Sequence, residues 1–126
     1  MQVREVMTQP AHTIQASATA EQAADLMAEF NIGTLPVCDE DHIVGMITDR
    51  DIVIRCVAQR QAPAGTIIRN IMTPNPAVAG PTDSLEAAVE LLGERGILRL
   101  PVVEDSHVVG LLSAEDVVRA VFRTRP

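Results

Sequence analysis

Residues 35–51, LPVCDEDHIVGMITDRD, and residues 100–116, LPVVEDSHVVGLLSAED, are two versions of one pattern. A shift of 65 residues aligns them without a gap, and the same shift gives fifteen identities across residues 6–55. An ungapped register of that length indicates an internal duplication. The chain of 126 residues therefore contains two copies of one structural unit.

Each copy shows the order strand, helix, strand, strand, helix, which predicts an α+β fold. One copy alone is too short to bury its sheet well, so we expect the two to pack sheet to sheet as a pseudo-two-fold pair. The repeat predicts domains at 1–61 and 62–126. The predicted elements are strands at 12–15, 34–38 and 43–47 with helices from Thr19 and Thr48, and strands at 77–79, 99–103 and 108–112 with helices from Asp83 or Ser84 and from Ser113.

The first helix of each copy is amphipathic. Thr19 and Gln22 form a T-x-x-Q capping box, which marks a helix start. The stretch 51–58, DIVIRCVA, is apolar on nearly all sides and favours burial on two faces, within the subunit and against a second one. The residues expected to face the core in the first helices are Ala20, Ala23, Ala24, Met27 and Phe30 in one copy, and Leu85, Ala88, Val89 and Leu92 in the other.

Composition excludes several classes of function. The net charge of −7 disfavours nucleic acid and anionic membranes, and the absence of Trp and Tyr removes the usual stacking platforms for single strands. No run approaches the roughly 20 apolar residues of a membrane span. The start, MQVREVMTQP, lacks the features of a signal peptide, and two cysteines make no disulfide framework. We therefore expect a cytoplasmic protein.

The helix starts at Thr48-x-x-Asp51 and Ser113-x-x-Asp116 allow two interpretations. In the first, the hydroxyl and the acid only cap the helix, which contributes about 1 kcal/mol. In the second, the carboxylate accepts both hydrogen bonds of a ribose cis-diol, while the hydroxyl and free N–H groups receive a phosphate. One helix start is able to do both.

Histidine and cysteine give little support to catalysis or metal binding. His42 and His107 are repeat equivalents, and matched positions in matched turns favour a structural role. Cys38 and His42 supply two ligands where a zinc site needs three or four. Cys38 and Cys56 lie in predicted core elements, which disfavours a reactive thiol. An enzyme that uses Cys38 or a histidine-bound metal is the least favoured hypothesis, and we predict neither a catalytic nor a metal site.

The patterns V-M-T, E-x-A, L-P-V, H-x-V-G and G-x-x-[T/S]-x-x-D, in order and twice, resemble the CBS (cystathionine-β-synthase) domain. Two in tandem are similar to a Bateman module, and the resemblance covers nearly the whole chain. It implies regulatory binding rather than catalysis, with clefts between the repeats for an adenosine-containing ligand such as AMP, ADP, ATP or S-adenosylmethionine. It also implies a stand-alone member without an obligatory cofactor, a homodimer formed through helices, and a downstream protein partner that the sequence does not identify.

The same resemblance assigns roles to individual residues. The acid at Asp51 or Asp116 holds the ribose, and Thr48 or Ser113 contacts ribose or phosphate. Arg50 is either a phosphate partner or a solvated first-turn side chain, whereas Glu115 opposes a phosphate, so we rank the first site above the second. Backbone groups that recognise the base are implied at Thr13, Ile14, Leu35 and Pro36 for one cleft, and at Val78, Ala79, Leu100 and Pro101 for the other.

The prediction is therefore a regulatory module that binds an adenosyl ligand and converts its occupancy into a change of shape or of partner affinity. The alternative is a ligand-free interaction or oligomerisation module in which both T/S-x-x-D motifs act only as caps.

Overall fold

A computed structural model describes residues 1–123, and the chain forms two compact units. The first comprises residues 12–76, and the second combines residues 1–11 with the chain from residue 77 onwards. The first unit contains β1 (Ile14–Gln15), α1 (Ala20–Phe30), β2 (Thr34–Asp39), β3 (His42–Thr48), α2 (Asp49–Ile52) and β4 (Thr73–Pro74). The second contains α3 (Leu85–Arg95), β5 (Arg99–Glu104), β6 (His107–Ser113) and α4 (Ala114–Arg123).

The first unit holds a four-stranded sheet in the order β1-β2-β3-β4. β1 runs parallel to β2, whereas β2–β3 and β3–β4 are antiparallel. β4 was not expected from the sequence, since Thr73 and Pro74 belong to the second repeat in chain order. They pair with Met46 and Gly45 of β3 and extend the sheet of the first repeat.

The second unit repeats this arrangement, but single bridging residues replace the two outer strands. β5 and β6 pair antiparallel, Ala79 bridges Val102 of β5 in parallel, and Thr8 bridges Leu111 of β6. The expected strand at 77–79 is thus reduced to one bridging residue. The N-terminal segment, residues 1–11, lies in this unit although it begins the first repeat. The predicted domains 1–61 and 62–126 follow the sequence repeat and stay a prediction, while packing joins each Met-Thr segment to the other repeat's strands.

The amphipathic helices start where the sequence predicts. Thr19 accepts a hydrogen bond from the N–H of Gln22 at 3.1 Å, and Gln22 accepts one from the N–H of Thr19 at 3.0 Å. Ser84, rather than Asp83, caps α3. Three of the expected core side chains are exposed instead, whereas Leu26 and Leu91, which were not among the expected core residues, are partly buried against the cores. The exposed three are Ala24, Phe30 and Val89.

Each unit has its own apolar core behind its strands. Leu35 and Ile47 are fully buried in the first, as are Leu100 and Leu112 in the second. These residues lie opposite each other in register, Leu35 to Ile47 and Leu100 to Leu112. The duplicated L-P-V pattern therefore supplies the centre of both cores.

The helix that ends the first repeat changes character after one turn. Asp49–Ile52 is α-helical, and Val53–Val57 continues as a π-helical turn. Ile52 and Cys56 are buried, whereas the apolar residues between and after them are 47–56% exposed. Of the two buried faces expected here, the chain itself covers one. The exposed residues are Val53, Ile54 and Val57.

Candidate functional site

The start of α2 holds Thr48 and Asp51 in a reciprocal pair. The Thr48 N–H donates to Asp51 Oδ2 at 2.9 Å, and the Asp51 N–H donates to Thr48 Oγ1 at 3.1 Å. Thr48 has extended backbone angles and is the residue before the helix, as a cap requires. The capping role predicted for both residues is therefore confirmed, and it leaves Asp51 Oδ1 outside the cap.

The other backbone donors of this helix start are already used. The Asp49 N–H donates to the Gly33 carbonyl at 2.9 Å, and the Arg50 N–H donates to Asp49 Oδ1 at 2.8 Å. The free N–H groups expected to receive a phosphate are therefore not available here.

Two arginines flank the Asp51 carboxylate at different distances along the helix. Arg50 is exposed, and no described residue forms an ion pair with its guanidinium. Arg55 was not among the predicted site residues, yet its Nε lies 3.8 Å from Asp51 Oδ1. Its Nη1 donates to the carbonyls of Ile71 and Met72, which lead into β4. The i, i+4 spacing of acid and arginine was the sequence signal for this pair.

The start of α4 repeats the cap with a more enclosed acid. The Ser113 N–H donates to Asp116 Oδ2 at 3.0 Å, and the Asp116 N–H donates to Ser113 Oγ at 3.1 Å. Asp116 is 8% exposed. Arg119, also missed from the sequence, contacts both Asp116 and Glu115 at 3.5 and 3.4 Å. The Glu115 charge, which was expected to oppose a phosphate, is thus partly offset by a neighbouring cation.

The L-P-V residues lie beside these helix starts. In the sheets, Thr34 is paired with the cap residue Thr48, and Arg99 is paired with the cap residue Ser113. The next two residues of β2 and of β5 therefore lie one and two positions along the strand from a cap residue. All four side chains are fully buried, so only their backbone groups are able to face a ligand. These are Leu35, Pro36, Leu100 and Pro101.

Of the other residues predicted to contact the base, two line a groove beside α1, and two lie where residue 79 bridges β5. Thr13, exposed, and Ile14, buried, line an open groove of about 430 Å³ against one side of α1, whose rim carries Asp25. Val78 is 41% exposed. Ala79 is buried, and its N–H donates to the Pro101 carbonyl at 3.0 Å. That carbonyl is therefore occupied within the second unit.

Cysteine and histidine form no metal cluster within residues 1–123. No group of three or more His, Cys, Asp or Glu side chains in that range is arranged to hold an ion. Burial raises the pKa of the Cys38 thiol, and the Asp41 charge adds to the effect, so the neutral thiol is favoured. Cys56 is buried and its Sγ lies 3.4 Å from the Gln61 carbonyl.

Comparison with known proteins agrees with this duplicated architecture. The family model for the CBS domain matches residues 3–57 and again residues 68–123. The chain belongs to the CBS-domain family. It is 34% identical to the CBS domain-containing protein YhcV of Bacillus subtilis over 114 residues, which cover 90% of this chain and 81% of YhcV.

Two solved CBS structures are similar over nearly the whole chain. The CBS domain pair of protein MJ0100, in complex with methylthioadenosine and S-adenosyl-L-methionine, has a TM-score of 0.89 at 28% identity and covers 99% of this chain and 98% of that one. CBSX2 in complex with AMP has a TM-score of 0.83 at 31% identity, with 97% and 96% coverage. The tandem pair and the α+β fold predicted from the sequence are thereby confirmed.

No helix within residues 1–123 is both long and apolar enough to cross a bilayer.

Proposed function

We propose that this CBS pair is a regulatory module that binds an adenosine-containing ligand at the helix starts of Asp51 and Asp116. The observation that carries the proposal is the Asp51 carboxylate, which is 15% exposed and has an oxygen, Oδ1, whose described partner is Arg55 at 3.8 Å. That oxygen is free to accept a ribose hydroxyl. The adenosyl ligands of the MJ0100 pair and of CBSX2 support this choice of ligand class.

The proposed roles are those that the resemblance to CBS domains implies, with Arg55 added because of its distance to Asp51. Asp51 accepts the ribose diol, Thr48 contacts ribose or phosphate, and Arg50 or Arg55 balances phosphate charge. The backbone on either side of Thr13 and around the L-P-V strand would contact the base. Because AMP, ADP, ATP and S-adenosylmethionine share the adenosine that these groups would hold, the proposal extends to all four. The protein acts without catalysis or an obligatory cofactor, in the cytoplasm, on a partner protein that it regulates.

A ligand-dependent melting experiment tests the proposal. At 100 times its dissociation constant, a ligand that binds only the folded state adds about 2.7 kcal/mol to the free energy of unfolding. We expect this stabilisation with at least one of AMP, ADP, ATP and S-adenosylmethionine. Asp51→Ala should remove the share of the first site and Asp116→Ala the share of the second, as measured by thermal unfolding and calorimetric titration.

The matched control is Glu94→Ala, which removes an exposed carboxylate from α3, away from every residue proposed to contact the ligand, and should leave ligand stabilisation unchanged. If no adenosyl ligand shifts the melting curve, the sensor hypothesis is wrong and the capping-only alternative gains. A shift that survives both aspartate substitutions would instead place the ligand elsewhere.

We also propose that the protein is a homodimer joined through the last helix of each repeat. In the first repeat this is α2 with its π-helical continuation, Val53–Val57, and in the second it is α4. In the first unit, Val53 and Val57 are each 56% exposed. In the second, Val118 is 54% and Phe122 62% exposed, and they line an open groove of about 590 Å³ along α4. Apolar side chains that lie along one helix at this spacing are typical of an interface. This is also the observation that favours the oligomerisation alternative.

An added charge on this surface should separate the subunits. Val118→Glu would bury an unpaired carboxylate at the interface, so we expect the dimer dissociation constant to rise by more than about a hundred-fold. Sedimentation velocity over a range of protein concentrations measures the change. Thr82→Glu, which adds the same charge at an exposed polar loop position outside these helices, should leave the dimer intact. A wild-type protein that sediments as a monomer would contradict the proposal.

A further inference from the structure

The N-terminal segment, residues 1–11, is attached to the second repeat by backbone hydrogen bonds. The Val3 N–H donates to the Asp83 carbonyl at 2.9 Å. Thr8 and Leu111 exchange two bonds, from the Thr8 N–H at 2.9 Å and from the Leu111 N–H at 3.0 Å. This pairing brings the side chain of Thr8 to the start of α4.

There the Thr8 hydroxyl meets the proposed ribose acceptor. Thr8 Oγ1 lies 3.2 Å from Asp116 Oδ1 and 3.3 Å from Oδ2. An ionised carboxylate only accepts hydrogen bonds, so the hydroxyl is the donor. Together with the Ser113 N–H on Oδ2 and Arg119 Nη1 at 3.5 Å from Oδ1, this contact uses most of the acceptor capacity of Asp116.

The first repeat lacks this contact although it has the equivalent residue. Thr73 corresponds to Thr8 by the 65-residue shift, and it pairs with Met46 of β3 as Thr8 pairs with Leu111. Within residues 1–123, however, no hydrogen bond joins the Thr73 hydroxyl to Asp51. Asp116 therefore has less remaining capacity to accept hydrogen bonds than Asp51, although the two repeats have the same residues at these positions.

We propose that Thr8 makes the two adenosyl sites unequal, because its hydroxyl competes with the ribose diol for the carboxylate of Asp116. This inference rests on the proposed function. The ligand fills the Asp51 site first, and a ligand at Asp116 has to displace the Thr8 hydroxyl. Displacement removes one of the contacts that hold residues 1–11 to β6. By thermodynamic linkage, a ligand that weakens this contact binds more tightly when the contact is already absent.

The test measures AMP and S-adenosylmethionine at one site at a time. In the Asp51→Ala background, where the Asp116 site is the one left to bind, Thr8→Val removes the hydroxyl and keeps the shape of the side chain. We expect the dissociation constant to fall by about ten-fold, since a hydrogen bond to a charged group no longer has to be broken. Isothermal titration calorimetry gives the constant directly.

The repeat supplies a matched control. In the Asp116→Ala background, Thr73→Val makes the same chemical change at the equivalent position and should alter the dissociation constant of the Asp51 site by less than about two-fold.

A second measurement reports on the segment itself. Saturating AMP should accelerate hydrogen exchange of the Leu111 amide in the Asp51→Ala protein by about the same ten-fold factor, because the coupling is reciprocal.

Each possible result decides between hypotheses. If Thr8→Val leaves the dissociation constant unchanged or raises it, the competition is wrong while the proposed function stands. Slower exchange of the Leu111 amide in the presence of AMP would also overturn it. If neither AMP nor S-adenosylmethionine binds to the wild type or to any variant, both the proposed function and this inference fail.

Discussion

Replacement of Leu100 by alanine is expected to destabilise the protein by about 3 kcal/mol, within the range of about 2–5 kcal/mol typical of core leucines. Leu100 is fully buried and packs in the core of the second unit with Val102 and Leu112. Removal of its side chain loses apolar burial and leaves a cavity that close-packed neighbours refill only in part. Urea denaturation measures the change.

Leu98→Ala provides the control for this change. Leu98 stands two residues earlier and is 65% exposed, so the same substitution should cost less than about 0.5 kcal/mol. Similar losses for both variants would contradict the burial that the structure assigns to Leu100. The comparison also bears on function, because Leu100 lies one step along β5 from the residue opposite Ser113.

The duplication and the cores were predictable because they rest on local patterns. Apolar residues at strand and helix spacing, the T-x-x-Q box before Ala20 and the caps at Thr48 and Ser113 are all signals within a few residues. The ends of the predicted elements therefore agree with the structure to within a few positions, apart from the reduced strand at 77–79, whereas β4 was not predicted. The family resemblance predicted the tandem pair, which is confirmed, and it is also the source of the proposed class of ligand.

The partners of the two Met-Thr segments were not predictable in the same way. Met7-Thr8 and Met72-Thr73 are identical in sequence, and either dipeptide suits the edge of either sheet. Which edge it joins depends on long-range packing, which has no local signal. The sequence therefore did not predict Thr8 as a neighbour of Asp116, and only Arg50 and Glu115 predicted a difference between the two proposed sites.

The site arginines were missed for a related reason. Arg55 and Arg119 are not repeat equivalents, since the 65-residue shift places Arg55 on Ala120. Neither arginine is therefore a residue that the two repeats share. Each nevertheless lies one helical turn from its aspartate, at i+4 and i+3, and pairs with it. Helical spacing was the more informative signal here.

The strands that hold the Met-Thr segments approach closely at two glycines, and Gly45→Ala is expected to destabilise the protein by about 3 kcal/mol. A Cβ at Gly45 would lie 2.6 Å from Met72 Sδ and 2.8 Å from the Thr73 carbonyl oxygen. The sulfur belongs to a flexible side chain, but the carbonyl belongs to β4. Alanine therefore has to move a strand, and urea denaturation should show the loss.

Gly110→Ala is the matched variant in the second repeat, with an expected loss of about 1–2 kcal/mol. Its Cβ would also lie 2.6 Å from a sulfur, that of Met7, but 3.1 Å from the backbone oxygen of Thr8. Because the severe clash is with a side chain, adding Met7→Ala should recover more stability than Met72→Ala recovers in the Gly45 variant.

Gly93→Ala, with no atom within 4 Å inside α3, should instead stabilise by about 0.5–1 kcal/mol. Equal losses at Gly45 and Gly110, or full rescue by Met72→Ala, would show that the backbone approach at β4 is not what requires glycine.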